Sequence, residues 1–127
     1  MTRNHASAKK AGTSFERAVA DYLALHVDDR IDRRVKTGAK DRGDIAGVRT
    51  QDEQRLVIEC KNVGHLALPQ WTREAEQERI NDTALAGIVI HKRHGKTAPN
   101  MQWVTMTLDQ LVAILTGNNN HRKQNKI

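Results

Sequence analysis

The sequence predicts an α/β fold, a single-domain sandwich with a central mixed sheet and elements in the order α-β-β-β-α-β-β-α. Three observations carry this expectation. Leu56 to Lys61 and Ala86 to Lys92 are apolar runs of strand length, as expected inside a sheet. Ahead of them, Phe15, Val19, Tyr22, Leu23 and His26 recur at helical spacing and make one buried face. Between the two runs, a polar stretch opened by Pro69 supplies a helical crossover. A chain of 127 residues holds one core and not two.

Taken in order, Met1 to Gly12 carries Arg3, Lys9 and Lys10 and no acid, which predicts a flexible basic arm. Thr13 or Ser14 then opens a helix to about His26. Glu16 stands three residues after Thr13, the spacing of a capping box. After the polar break at Val27-Asp28-Asp29-Arg30, Ile31 to Lys36 alternates apolar and basic residues like an edge strand. Thr37 to Gly43 forms a loop with Lys40, Asp41 and Arg42. It reads equally as a phosphate contact or an ordinary charged turn. A short strand from Arg42 to Val48 follows, with Asp44 at its mouth. Gln51 to Gln54 is a solvated turn, and Leu56 to Lys61 is the central strand, in which Cys60 reads as small core packing.

Val63 to Leu68 is a loop, and a surface helix runs from Pro69 to Asn81 or Asp82. Its apolar residues are Trp71, Ala75 and Ile80, against Arg73, Glu74, Glu76, Gln77, Glu78 and Arg79. His91 to Lys96 is a basic turn in which His91 and His94 have no neighbours to complete a metal ligand set. Met101 to Thr107 makes the last strand. Thr107 to Gln110 then has the capping-box spacing for a helix buried through Leu108, Leu111, Val112 and Leu115 and ended by Gly117. Asn118 to Ile127, with Arg122, Lys123 and Lys126, is expected to be a disordered basic tail, leaving residues 13–117 as the folded domain.

The formal charge of +6 favours a polyanionic partner, nucleic acid first. With Phe15, Tyr22, Trp71 and Trp103 as the aromatics, stacking on single-stranded bases does not dominate. One cysteine, Cys60, excludes an internal disulfide and argues against a cysteine zinc cluster. The absence of a long apolar run argues against a signal peptide or membrane span and predicts a cytoplasmic protein.

Chemistry concentrates on the two strands at Asp44 and Glu59-Cys60-Lys61. Side chains alternate across a strand, so Glu59 and Lys61 share a face, and hairpin pairing brings Asp44 to it. Two carboxylates in one place repel unless a hard cation joins them, and oxygen ligands suit Mg²⁺ or Mn²⁺. A lysine beside such a cation orients or helps deprotonate a water that attacks phosphorus, which is metal-assisted phosphodiester hydrolysis. Asp41 is a rival acid within the preceding loop.

From about Ser14 to Leu115 the chain resembles the PD-(D/E)XK nuclease superfamily, and within it the Holliday-junction resolvases of archaeal and bacteriophage type. The resemblance rests on Glu16, the basic strand with Arg34 and Lys36, the Gly43-Asp44-Ile45 turn and Glu59-Cys60-Lys61-Asn62. Gly43 stands where a proline is often found. The likeness implies a restriction-endonuclease-like fold and a catalytic set of Glu16, Asp44, Glu59 and Lys61. Asp44, Glu59 and the backbone carbonyl of Cys60 would hold the metal, with Glu16 through water. The cofactor would be Mg²⁺, with Mn²⁺ as substitute, and Gln77 is a weak further candidate.

The implied activity is structure-selective DNA cleavage at four-way junctions. Two equivalent strands to cut call for a homodimer, with exposed Trp71 or the last strand as the interface. Lys9, Lys10, Arg34, Lys36, Lys40, Arg42, Lys92, Arg93 and Lys96 would grip phosphates by charge. The rivals are a flap, nicking or restriction-like nuclease and a non-catalytic junction-binding module on the same scaffold. A basic RNA-binding protein ranks last, because no RNA motif is present.

Overall fold

The computed structural model describes residues 4–35 and 40–124. Lys36 of the basic set, residues 37–39 of the loop, Arg3 and Lys126 lie outside them. The architecture is mixed α/β. Helix α1 (His5–His26) precedes strands β1 (Asp32–Arg33), β2 (Ile45–Ala46) and β3 (Leu56–Lys61). Helix α2 (Leu68–Asp82) crosses to β4 (Ala86–His91), and a short 3-10 turn leads to β5 (Trp103–Thr105), α3 (Leu108–Thr116) and α4 (Asn120–Gln124). The five strands lie in chain order across the sheet. β3 and β4 are parallel, as a helical crossover requires, and the other neighbours are antiparallel.

Helix α1 begins well before Thr13. Asn4 accepts a hydrogen bond from the Ser7 amide at 2.8 Å, and His-Ala-Ser-Ala-Lys-Lys-Ala then continues as helix. The expected flexible arm is therefore helical over residues 5–12, and Glu16 lies mid-helix, where no capping box exists. Phe15, Val19 and Ala20 pack on Ile45, Ile58, Cys60, Ile88 and Ile90 to form the main core. His26, expected inside, is exposed, with its ring 4.6 Å from that of Tyr22.

Helix α2 covers the opposite face of the sheet. Its buried stripe is Trp71, Ala75 and Glu78, a strict i, i+4, i+7 progression. Ile80, apolar like Trp71 and Ala75, is 53% exposed. Trp71, expected on the surface, is buried against the His91 ring at 5.3 Å, so it provides no interface. Gly87 sets the depth of this packing. A Cβ there would lie 2.4 Å from the Ala75 carbonyl oxygen, so only glycine lets the helix backbone rest on β4.

The C-terminal part is tied down by polar groups. Thr107 is the N-cap of α3 without a side-chain cap bond, which removes the expected capping box. Gln110 is buried instead, accepting from the Gly87 amide at 3.0 Å and donating to Glu76 at 2.7 Å. Arg122 bonds Gln110 at 2.7 Å and the Asp109 carboxylate, so residues 120–124 form a docked helix where a disordered tail is expected. Among the described residues, no helix is long and apolar enough to cross a membrane.

Candidate metal centre

Strand β3 divides its side chains between the two faces. Ile58 and Cys60 enter the core under α1, while Glu59 and Lys61 face α2. Gly43 brings the preceding strand in beside them. It has φ +96°, and a Cβ there would stand 2.9 Å from Val57 and 3.0 Å from the Ile58 carbonyl oxygen. Proline, locked near φ −65°, does not fit this conformation. Asp44 follows, its amide donating to the Ile58 carbonyl at 2.8 Å and its carboxylate accepting from the Cys60 amide at 2.8 Å. Asp44 and Glu59 are both buried, at 3% and 6% exposure, and their carboxyl groups interact directly.

The third wall is α2. Glu78, 4% exposed, reaches Glu59 from above, and Asp41 reaches in from the loop. Asp41, Glu59 and Glu78 offer carboxylate oxygens that all lie within 4.8 Å of one another. The Asp41 loop is fastened to α2, since Asn81 donates to the Asp41 carbonyl at 2.8 Å. Gln77 in turn donates to Asn81 at 3.0 Å, on the exposed side of the helix. Asp41 also accepts from the Gly43 amide at 2.9 Å, closing the turn into Asp44.

This crowding sets the protonation. Burial, then the neighbouring Asp44 and Glu78 carboxyls, drive Glu59 far above the ordinary carboxylate range. Glu78 is raised to about 7, chiefly by burial, while its hydrogen bond from Glu59 pulls the other way. Without a cation, the protonated form of Glu59 is therefore favoured, hydrogen-bonded to its acidic neighbours. Burial disfavours the Lys61 ammonium, but Glu74 at 3.0 Å, backed by Glu59 and Asp44, outweighs it and raises its pKa. The Cys60 thiol is pushed up by burial and then by Asp44, Glu16, Glu59 and Glu78, so it is no nucleophile. Its amide and carbonyl face the β2 edge, beside Asp44.

The donor set fits a hard divalent cation. The clustered donors are carboxylate oxygens, and one Glu78 oxygen, Oε1, is buried without a hydrogen-bond partner among the described residues. Of the residues singled out from sequence, Asp44, Glu59 and Lys61 meet here as expected. Glu16 does not join the 4.8 Å cluster. It sits on the α1 side of the sheet in an ion pair with Arg33 at 3.2 Å. Glu78 and Glu74 were missed, although their spacing from Trp71 and Ala75 places them on the inward stripe of α2. Counting only apolar residues on that helix concealed them.

The basic residues are dispersed. Lys9 and Lys10 are exposed on the first turns of α1, near the end of β3, where Asn62 donates to the Ala11 carbonyl at 3.4 Å. Lys40 and Arg42 are exposed on the loop beside the acids. Arg34 is half-buried, 3.8 Å from Asp82. Lys92 turns back on its own hairpin, donating to the Arg93 carbonyl at 2.9 Å and to that of Lys96, so it braces the turn. Arg93 lies over the Trp103 ring at 4.5 Å, and Lys96 is exposed. No family model, curated protein or solved structure matches this chain.

Proposed function

We propose that the chain is a Mg²⁺-dependent, structure-selective DNA endonuclease with a restriction-endonuclease-like core, acting on four-way junctions as a homodimer. One observation carries the reading. Asp44, Glu59 and Lys61, from neighbouring strands, share one face with Glu78 and Asp41, whose oxygens converge with that of Glu59 within 4.8 Å. Asp44, Glu59, Glu78 and Asp41 would hold the ion, with the Cys60 carbonyl at the same edge. A divalent ion there, Mg²⁺ or Mn²⁺ in its place, supplies Lewis acidity toward the phosphoryl group and an acidified water.

The chain's own groups do the rest. Lys61, steadied by Glu74 at 3.0 Å, presents an ammonium at the edge of the acid cluster, where it orients a water toward phosphorus. The water oxygen bonds to phosphorus as its proton passes to solvent, the P–O bond to the sugar breaks, and the departing sugar oxygen takes up a proton from solvent. A formal charge of +6 holds the polyanion by its backbone, which selects shape rather than sequence. Edge strand β5, with Trp103 48% and Val104 56% exposed, is the face for a second copy.

The test is incubation of labelled four-way junction, flap and linear duplex with Mg²⁺ and with chelator. Paired cuts confined to the junction, abolished by Glu59→Gln while binding persists, are expected. Flap cleavage alone would make it another nuclease of the same fold. Tight junction binding with no Mg²⁺-dependent cutting would make it a non-catalytic binding module.

A further inference from the structure

A cleft of about 550 Å³ is lined by Arg34, Arg42, Arg49 and Arg55 with Asn81 and Asp82. Asp82 is the one carboxylate in this lining, and Arg49 has an exposed partner in Glu53 at 3.8 Å. Part of this has a structural reason. Asp82, nearly buried, lies 3.8 Å from Arg34 and 3.6 Å from Arg55. Arg55 also donates to the Asp82 carbonyl at 2.6 Å and to that of Thr83 at 3.2 Å, satisfying carbonyls at the end of α2.

Helix capping does not account for the rest. Arg49 and Arg55 are direct partners across an antiparallel bridge, a placement in which like charges destabilise the pair. Arg42 adds an exposed guanidinium at the mouth. An anion bound between them converts that repulsion into attraction, and the planar guanidinium fork matches phosphate oxygens.

The cleft is also coupled to the acids. Asn81 lines it and donates to the Asp41 carbonyl at 2.8 Å, and Asp41 is followed directly by Arg42. We propose that this cleft binds a backbone phosphate of the DNA close to the one that is cut, so that Arg34, Arg42, Arg49 and Arg55 act as positioning residues. The assignment rests on the nuclease reading above and supplies the anchor that reading lacks.

Binding of labelled four-way junction is measured by anisotropy in chelator over a salt series for wild type, Arg49→Gln, Arg49→Lys and Arg42→Gln. Arg17→Gln, on the outer side of α1, is the control. Each Gln change in the cleft is expected to weaken binding about tenfold and reduce the salt slope by roughly one. Arg49→Lys should keep the slope, because it keeps the charge. Cleft variants that match Arg17→Gln in slope and affinity would overturn the proposal, as would a wild type that binds no junction. A titration with inorganic phosphate, followed by amide shifts, separates the two sources of the anion. Saturation by phosphate together with unchanged junction binding in the variants means a small-anion site and also overturns it. Wild type that binds with the full slope but never cuts in Mg²⁺ refutes the nuclease reading alone and leaves the phosphate cleft standing.

Discussion

The two faces of the sheet are built from the same strands and behave as opposites. Under α1, Ile45, Ile58, Cys60, Ile88 and Ile90 meet Phe15 and Val19 in an apolar layer whose stability comes from exclusion of water. Under α2, the intervening residue Glu59 meets Asp44 and Glu78 at similar burial, and Lys61 meets Glu74. Neighbours one residue apart on β3 therefore sit in environments of opposite polarity. The difference teaches where instability is concentrated. Buried carboxyls that repel one another cost free energy until a proton or a cation joins them, so the α2 face is held in place by the α1 face.

Breaking the polar face first, Lys61→Met is expected to lower the Mg²⁺-dependent cleavage rate about 10²–10⁴-fold with junction affinity little changed. Single-turnover kinetics check this, and a rate within a few-fold of wild type removes Lys61 from the chemistry. On the apolar face, Ile58→Ala should cost about 2–5 kcal/mol in urea unfolding, because it empties a fully buried site. Its cleavage rate under folding conditions should stay near wild type. A rate loss comparable to that of Lys61→Met would mean that the two faces are not separable.

Glu78→Gln against Glu16→Gln sharpens the comparison across the sheet. The first should raise the Mg²⁺ concentration needed for cleavage roughly 10–100-fold, and the second should leave it unchanged, since Glu16 is paired with Arg33 on the other side. A Mg²⁺ titration of cleavage with the opposite ranking would restore Glu16 to the acid set.

The last comparison is a pH dependence confined to the α2 face. Glu59 and Glu78 have folded pKa values above their unfolded ones, so the folded state binds more protons between the two. Stability without metal is then fully present below the ordinary glutamate pKa and is lost as pH rises, through about 7 for Glu78 and beyond for Glu59. The slope should be about 1.4 kcal/mol per pH unit for each group. Denaturation in chelator across this range measures it, and excess Mg²⁺ should flatten it, because the cation replaces the protons. Equal slopes with and without Mg²⁺ would argue that no ion enters the cluster.

Much of this was legible in the chain. The apolar runs of β3 and β4 gave themselves away by composition, and the polar interruptions of β3 at Glu59 and Lys61 marked the face on which the acids gather. Asp44 was visible because Gly43 precedes it at a strand mouth. The helical extension at residues 5–12 is masked by its basic charge, which suits a flexible arm equally well, although Ala-rich sequence behind an Asn cap favours helix. Docking of α4 was hidden for a similar reason. Arg122 looks solvated until Asp109 and Gln110, distant in sequence, are brought against it.

What the sequence determined by itself is local: strand length, alternation along β3, and the residue types able to hold a hard cation. Such features depend on the period of one element and need no partner. Only the tertiary structure decided which acids converge, since Glu78 joins Glu59 through the way α2 seats on Gly87 and Ala75. The same packing placed Glu16 across the sheet with Arg33, brought Arg34 and Arg55 to Asp82, and lined one cleft with four arginines. These outcomes depend on how one element lies on another, and periodicity along a single segment carries no record of that.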